Sequence, residues 1–311
     1  MRESGIYIMI KFLKFVEITT KSISLLAFMT GAAYCAFRYS YIDIKNAAIF
    51  LIAMLLFDMA TTAINNFIDK RDSGKVPHFS AGISLFMIII MIAASMALGI
   101  YLTVQCGIFV LLVGTLCFAA GILYTFGPAP ISRTPYGEII SGTVMGGLIP
   151  ALVIYIGAPN GEFLYFQADL STIAFYMGMR EMALFVIVTL PLMLTIAGIM
   201  LANNICDVEK DIAIKRYTLP YYIGNKKAVR LFSGIYYASY AFIILAAAIG
   251  AAPVWSLFCL LSFIPVYKNL RVFRQKQIKN ETFILSVKNF IGINLSFAVL
   301  IASGAVVNIY F

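Results

Sequence analysis

Two short polar clusters interrupt an otherwise apolar sequence, and each contains the pattern Asn-Asn-x-x-Asp. Residues three or four positions apart lie on one face of a helix, so each cluster would form a stripe of oxygen atoms. Carboxylate and amide oxygens suit Mg²⁺, which also binds the oxygens of phosphate groups. The two stripes therefore predict a magnesium site whose ligands are Asn65, Asp69, Asp72, Asn203, Asp207 and Asp211.

Amide and basic residues adjoin both clusters and would bind the rest of a polyphosphate. They are Asn66, Lys70, Arg71 and Lys75 in the first cluster, and Asn204, Lys215 and Arg216 in the second. The alternative is that the acids are solvated loop carboxylates paired with lysine and arginine. Two matched clusters at equivalent helix ends favour a binding site, because polar residues this close to a membrane span are usually functional.

The composition is that of a membrane protein. Of the 311 residues, 62% are hydrophobic and only 12% are charged, with a mean hydropathy of +0.93. A soluble domain carries about 25% charged residues, and a disordered chain lacks this apolar content. The net charge of +9 fits the basic loops of membrane proteins. The expected partner is therefore a lipid bilayer, and no nucleic-acid partner is expected. The five cysteines form no metal-type pair, which predicts neither disulfides nor a zinc site.

Nine apolar segments are candidates to cross the bilayer as helices, because a span needs about 20 mostly apolar residues. They are Ser22–Tyr39, Ala47–Asn66, Ala81–Val104, Gly107–Phe126, Glu138–Gly157, Met182–Asn204, Val229–Ala251, Val254–Tyr267 and Phe283–Tyr310. The predicted fold class is all-α, a multi-pass membrane helical bundle with nine transmembrane helices. The clusters lie four spans apart, which suggests two similar four-helix halves plus a ninth helix.

Local features refine this picture. The apolar and basic segment Met1–Lys21 is typical of an interfacial amphipathic helix. Gly142 and Gly146 have the spacing that lets two membrane helices approach closely. Pro150 and Pro191 lie inside spans and predict kinks.

The distribution of basic residues predicts the orientation. With the N-terminus inside, most lysines and arginines fall in inside segments, and only Arg38, Lys45 and Arg180 fall in outside ones. Basic residues collect in cytoplasmic loops. The sequence therefore predicts a protein of the cell inner (cytoplasmic) membrane whose N-terminus and active site face the cytoplasm.

Two sequence motifs resemble a known family. The second cluster reads Asn203-Asn204-x-x-Asp207-x-x-x-Asp211 and is followed by Arg216-x-Thr218-Leu219. Upstream lie Tyr124-Thr-Phe-Gly127-Pro128-Ala-Pro130 and Gly137-Glu138. Together with the spans, these motifs resemble the UbiA superfamily of intramembrane aromatic prenyltransferases over nearly the whole chain. They are most similar to its MenA-type branch, the 1,4-dihydroxy-2-naphthoate polyprenyltransferases.

The chain departs from the family pattern at several positions. The first cluster opens with Asn65-Asn66 where the family has Asn-Asp, and Asp72 follows Asp69 by only three residues. The branch has arginine where this chain has Cys206, and Gly-Lys where it has Lys215-Arg216.

The resemblance implies one integral-membrane prenyltransferase domain over residues 1–311. It implies Mg²⁺ as cofactor, with polyprenyl diphosphate and an aromatic acid as substrates. The implied reaction is transfer of the polyprenyl group to 1,4-dihydroxy-2-naphthoate with decarboxylation, in menaquinone biosynthesis. The implied catalytic residues are Asp69, Asp72, Asp207 and Asp211 through the metal, and Tyr124, whose ring face would stabilise an allylic cation.

Four isolated polar residues leave alternatives open. Asp58 would orient the acceptor or assist proton removal, or it is a packing acid satisfied by neighbouring groups. Arg133 would contact diphosphate or an acceptor carboxylate, or it is an ordinary loop charge. Glu138 would bind substrate or simply favour a helix N-terminus. Tyr124 would otherwise be an interfacial anchor.

Other functions fit parts of the pattern. Within the same family the acceptor would instead be 4-hydroxybenzoate or homogentisate. An ion-coupled membrane transporter would explain paired halves and membrane acids, but its ions usually bind near the bilayer midplane. A non-catalytic scaffold would leave the two matched clusters without an explanation.

Overall fold

The computed structural model describes residues 5–73, 79–125, 127, 130–158, 163–168 and 171–310, without the side chains of residues 69–73, 125, 309 and 310. Its helices are α1 (Gly5–Phe15), α2 (Ser22–Tyr39), α3 (Ile44–Ser73), α4 (Ala81–Cys106), α5 (Ile108–Thr125), α6 (Gly137–Thr143), α7 (Ile149–Gly157), α8 (Met179–Ala213), α9 (Leu219–Ile223), α10 (Asn225–Ala248), α11 (Phe263–Gln275) and α12 (Phe283–Tyr310). A π-helical segment, Val144–Leu148, joins α6 to α7, and a 3₁₀ segment, Val254–Ser262, leads into α11. The architecture is an all-α membrane bundle, as the sequence predicts.

Over the described residues, seven helices are long and apolar enough to cross a membrane. The predicted count of nine is therefore too high by this measure. The two predicted spans that fall short are α2 and α5. In α2, the polar residues Ser24, Thr30 and Arg38 lower the hydropathy, and α5 is a shorter apolar helix over Ile108–Tyr124.

Both helices nevertheless run along the length of the bundle. Gly107 lies just before α5, and a Cβ there would be 3.3 Å from the Tyr155 hydroxyl at the end of α7. Gly137 lies at the start of α6, and a Cβ there would be 3.4 Å from the hydroxyl of Tyr124, at the end of α5. Helix α5 is therefore antiparallel to α6–α7. Helix α2 begins beside Asp58 of α3 and ends where Arg38 pairs with Glu181 at the start of α8. Because Ser24 and Thr30 are buried in protein, α2 needs less apolar surface than a lipid-exposed helix.

Helix α8 is the centre of the bundle. In the most apolar 18-residue stretch of α8, 61% of the residues are buried, against 22% in that of α4, most of whose side chains are not buried. The main core joins α8 to α2, α10 and α12 through large buried side chains such as Tyr34, Phe232, Tyr236 and Phe297. At about 1.5 Å per residue, the 35 residues of α8 measure about 52 Å, longer than the bilayer core of about 30 Å. Its last turns, which carry the second polar cluster, can therefore extend to the membrane boundary.

Close packing of α6–α7 on α8 confirms the role predicted for the small residues. A Cβ at Gly142 would lie 2.6 Å from the Met193 carbonyl oxygen, and one at Gly146 would lie 2.7 Å from the Met193 Cα. Pro191 lies inside α8, two residues before this contact. Pro150, the second residue of α7, lies two residues after the π-helical segment, and its missing N–H cannot donate the hydrogen bond of a regular helix.

A β-hairpin between α7 and α8 was not predicted. Strand β1 (Leu164–Ala168) pairs antiparallel with β2 (Ile173–Met177), with Leu164 opposite Met177 and Ala168 opposite Ile173. Phe163, just before β1, packs edge-on against Phe185 of α8, so the hairpin is anchored to the core. Its two strands have five residues each, too short to span a bilayer, so an apolar-segment pattern does not reveal the hairpin.

Candidate active site

The second polar cluster lies on the last three turns of α8, where its side chains turn towards two loops. Asp207 is held by Lys279, which lies between α11 and α12: the Lys279 Nζ donates to Asp207 Oδ2 at 2.6 Å and also to Asn203 Oδ1. Lys210, one turn further along α8, approaches Asp207 Oδ1 at 3.7 Å but is largely exposed. A cation thus already lies between two oxygen ligands predicted for the metal.

Arg216 organises the other side of this cluster. Its backbone N–H donates to the Asp211 carbonyl at 2.8 Å, which closes the end of α8, and its guanidinium Nε lies 3.8 Å from Asp211 Oδ2. The same Nε donates to the Ser132 carbonyl at 2.9 Å, and Nη2 reaches Asn204 Oδ1 at 3.5 Å. Arg216 therefore ties the loop after α8 to the loop after α5.

Asn204 and Glu138 form a buried link between α8 and α6. Asn204 Nδ2 donates to Glu138 Oε1 at 2.9 Å, and both residues are nearly inaccessible to solvent. The second oxygen of Glu138 and Oδ2 of Asp211 are buried and have no hydrogen-bond partner among the described atoms. Buried polar atoms without a hydrogen bond are costly, so these two carboxylate oxygens, one of them 3.8 Å from the Arg216 Nε, retain the capacity to bind a ligand.

Tyr124 lies at the entrance to this region. Its hydroxyl adjoins Gly137 at the start of α6, and its polar neighbours are Ser141, Glu138 and Arg216. The hydroxyl therefore lies in a polar environment at the end of α5, and the role of Tyr124 in the site stays a prediction.

Two basic residues predicted to bind substrate lie at the surface in this structure. The side chains of Arg133 and Lys215 are exposed, and neither makes an ion pair with a described side chain. Lys215 adopts a left-handed backbone conformation (φ 57°) in the turn that reverses the chain after α8. The Arg133 carbonyl accepts a hydrogen bond from the Tyr217 N–H at 3.3 Å, so this residue contributes its backbone to the joined loops.

The first cluster lies at the end of α3, but most of its predicted ligands fall outside the described side chains. The backbone of Asp69, Lys70, Arg71 and Asp72 continues α3, and Lys75 lies outside the described residues. Asn66 donates to the Phe15 carbonyl at 2.9 Å, which fastens the end of α1 to α3. Asn65 is half-buried and, like Asn66, makes no hydrogen bond to the described residues of the second cluster.

Asp58 is paired inside the protein. Lys21 Nζ donates to Asp58 Oδ1 at 2.7 Å and to the Asp58 carbonyl at 3.0 Å, and Ser24 Oγ donates to Oδ2. Lys21 also reaches the Thr62 hydroxyl at 2.6 Å. The carboxylate is therefore satisfied by the junction between α1 and α2, which matches the packing alternative.

Sequence reasoning missed Lys279 and Lys21. Both were counted among the basic residues that set the orientation, because nothing in their spacing separates them from neighbouring lysines. Only the packing of α12 on α8, and of α2 on α3, brings them to Asp207 and Asp58.

The described residues contain no group of three or more His, Cys, Asp or Glu side chains that could hold a metal. Helix α8 nevertheless offers one half of a site that suits a divalent metal ion. Asp207 and Asp211 are four residues apart on one helix face, and one oxygen of Asp211 lacks a hydrogen bond. Asp207 and Asn203 already bind a cation, the ammonium group of Lys279. All of these donors are oxygens, as a hard divalent ion prefers.

The comparison with protein families decides the identity. Residues 24–293 match the model of the UbiA prenyltransferase family. The chain belongs to the UbiA prenyltransferase family. This UbiA-family chain is therefore an integral-membrane enzyme, a transferase of prenyl groups.

A curated relative supports the branch suggested by the motifs. The chain is 25% identical over 304 residues to the 1,4-dihydroxy-2-naphthoate octaprenyltransferase of Bacillus subtilis (strain 168), covering 94% of this chain and 90% of the relative.

Solved structures support the fold. A UbiA homologue from Aeropyrum pernix K1 gives a TM-score of 0.63 at 21% identity, covering 92% of this chain and 98% of that one. A UbiA homologue from Archaeoglobus fulgidus, bound to GPP and Mg²⁺, gives 0.58 at 12% identity, covering 94% and 99%. A digeranylgeranylglyceryl phosphate synthase structure gives 0.62 at 14% identity, covering 95% and 99%.

Proposed function

We propose that this UbiA-family enzyme transfers a polyprenyl group from polyprenyl diphosphate to 1,4-dihydroxy-2-naphthoate, with decarboxylation, in menaquinone biosynthesis. The observation that carries the proposal is the arrangement of Asp207 and Asp211 beside Lys279 and Arg216 at the end of α8. The name of the Bacillus subtilis relative supports the acceptor, and the Asn203-Asn204 and Thr218-Leu219 motifs agree with it.

We propose Mg²⁺ as the cofactor, held by Asn203, Asp207 and Asp211 of α8 together with Asn65, Asp69 and Asp72 of α3. The Archaeoglobus fulgidus homologue bound to GPP and Mg²⁺ supports this choice. When bound, Mg²⁺ would neutralise charge on the diphosphate leaving group.

The protein's own cations complete the proposed chemistry. As the allylic C–O bond breaks, its electron pair leaves with the diphosphate, and Lys279 and Arg216 stabilise the departing negative charge. The ring carbon that bears the carboxylate then bonds to the allylic carbon, and the carboxylate leaves as CO₂, which returns its bonding electron pair to the ring. Lys70, Arg71 and Lys75 would hold diphosphate from the α3 side.

The surrounding residues would protect the cation. Tyr124, whose hydroxyl has Arg216 and Glu138 as polar neighbours, would turn its ring face to positive charge on the allylic carbon and stabilise it. The apolar interior of the bundle accommodates the prenyl chain and keeps water away from the reactive centre.

We propose that the enzyme lies in the cytoplasmic membrane with this site on the cytoplasmic side. The support is the distribution of basic residues: Lys210, Lys215, Arg216 and Lys279 all lie at the same end of the bundle as Asp207.

A transfer assay with an acceptor panel tests the proposal. Purified protein in detergent would receive Mg²⁺, farnesyl or geranylgeranyl diphosphate, and 1,4-dihydroxy-2-naphthoate, 4-hydroxybenzoate or homogentisate, with products identified by mass spectrometry. We expect a prenylated, decarboxylated naphthalenediol. Product only from another acceptor would refute the proposed acceptor. Ion-driven uptake into liposomes without any diphosphate turnover would instead support a transporter.

A further inference from the structure

A basic groove opens between α10 and α11, on the outside of the bundle. It has two adjoining compartments that share Val229, Arg230 and Arg274. The first, of about 270 Å³, is completed by Asn225, Lys226 and Gln277, and the second, of about 340 Å³, by Ser233, Gly234 and Tyr237. The groove is separate from the α8 cluster, since none of its lining residues contacts Asp207 or Asp211 among the described side chains.

The first compartment is suited to an anion. Lys226, Arg230 and Arg274 converge there, no residue that lines the groove is acidic, and neither Lys226 nor Arg230 pairs with a described carboxylate. Arg274 is held in place, because its Nε donates to Ser233 Oγ at 2.8 Å and its Nη2 to the Tyr237 hydroxyl at 2.9 Å. A guanidinium oriented in this way is ready to bind phosphate.

The second compartment leads to an apolar, aromatic surface. Tyr237 lies 6.2 Å from the Phe263 ring, and Phe263 lies 6.0 Å from Tyr267. All three rings are more than one-third exposed, as is Ile264, and a Cβ at Gly234 would meet no atom within 4 Å. The groove therefore continues from a cationic end into a surface that an acyl chain can cover.

We propose that this groove binds one anionic phospholipid molecule. The phosphate lies between Arg230 and Arg274, and the glycerol and first acyl carbons lie along Gly234 and Tyr237. Inorganic phosphate would leave the apolar, aromatic surface beyond the second compartment uncovered, and a zwitterionic lipid would bring its own cation towards Lys226. Basic pockets between membrane helices bind anionic headgroups for this reason.

Native mass spectrometry of the detergent-purified protein tests the site with phosphatidylglycerol and phosphatidylcholine as probes. We expect the wild type to retain phosphatidylglycerol in preference to phosphatidylcholine. The double variant Arg230→Gln/Arg274→Gln should bind phosphatidylglycerol about tenfold more weakly, because two charges next to the phosphate are lost. The matched control Lys268→Gln/Arg271→Gln removes two charges from the same face of the membrane but none from the groove, and it should bind as the wild type does.

Two outcomes would overturn the proposal: equal retention by the double variant and the control, or equal retention of the two lipids by the wild type. Displacement of phosphatidylglycerol by excess geranylgeranyl diphosphate would also overturn it, because the groove would then be a substrate site. If the double variant unfolds, the single variant Arg230→Gln provides the test. Arg230 makes no hydrogen bond to a described residue, so its replacement should leave the fold intact. This variant should still bind at least threefold more weakly, with an unchanged melting temperature.

Discussion

At the scale of single residues, the site consists of carboxylates held by cations from other parts of the chain. Lys279 binds Asp207 and Asn203, and Arg216 lies between Asp211, Asn204 and the Ser132 carbonyl. These cations stabilise closely spaced acids before any ligand arrives. In the proposed reaction they would also stabilise the negative charge that develops on the departing diphosphate.

Replacing Lys279 should therefore impair catalysis. We expect Lys279→Gln to lower kcat/KM for prenyl diphosphate about tenfold or more, because a cation next to the leaving group is removed. Steady-state kinetics in detergent would measure this. The matched control is Lys276→Gln, whose lysine pairs only with the exposed Glu281 among the described residues. Equal kinetics for the two variants would show that Lys279 plays no part.

The buried pair of Lys21 and Asp58 should instead govern stability. Lys21→Met leaves a carboxylate with little solvent and no partner cation, and we expect a loss of about 3 kcal/mol in the free energy of unfolding. Adding Asp58→Leu should recover much of the loss. Thermal unfolding in detergent would report both, with Lys14→Met at an exposed position as control. An unchanged melting temperature in Lys21→Met would contradict this role.

Residue type and spacing predicted part of the site. Asn203, Asp207 and Asp211 could be found because helical spacing alone puts them on one face of α8. Their partners could not, since Lys279 is 72 residues from Asp207 in the sequence and only tertiary packing brings them together. Asn204 shows the same limit, because its side chain turns away from the predicted metal ligands to Glu138 of α6.

At the scale of elements, α8 fixes the site through its contact with α6–α7. Gly142 and Gly146 let the two helices approach at Met193, and this approach puts Glu138 within hydrogen-bonding distance of Asn204. The distance between α6–α7 and α8 thus sets the positions of Glu138 and Asn204, and with them the surroundings of Arg216.

Two neighbouring glycines allow a matched test of this packing. A Cβ at Gly146 would lie 2.7 Å from backbone of Met193, whereas one at Gly147 would meet only the flexible Met193 side chain at 3.6 Å. We expect Gly146→Ala to destabilise the protein by about 2 kcal/mol, and Gly147→Ala to be neutral or slightly stabilising. Thermal unfolding would measure both. Equal stability of the two variants would mean that the helices are not in close contact there.

Long apolar segments made the helices predictable, but other elements gave weaker signals. Helix α2 is buried between helices and so does not need a continuous apolar surface, and the hairpin β1–β2 is two five-residue strands. The division into two similar four-helix halves stays a prediction.

At the scale of the whole molecule, the basic residues predict how the bundle sits in the membrane. We expect the N-terminus in the cytoplasm and the C-terminus on the other side. Alkaline phosphatase fused after Phe311 should then be active, and green fluorescent protein fused at the same position should not fluoresce. If the green fluorescent protein fusion fluoresces and the phosphatase fusion is inactive, the C-terminus lies in the cytoplasm and the prediction is wrong.

The central claim is that the α8 cluster carries Mg²⁺-dependent prenyl transfer. The most direct measurement is the turnover of polyprenyl diphosphate with an aromatic acceptor by purified wild type, Asp207→Asn and Glu209→Gln. Glu209 is exposed on the same turn of α8 and serves as the matched control. We predict that Asp207→Asn lowers turnover at least about 100-fold while remaining folded, that Glu209→Gln matches the wild type, and that excess EDTA abolishes all turnover. Equal activity of Asp207→Asn and Glu209→Gln, or undiminished turnover in EDTA, would contradict the claim.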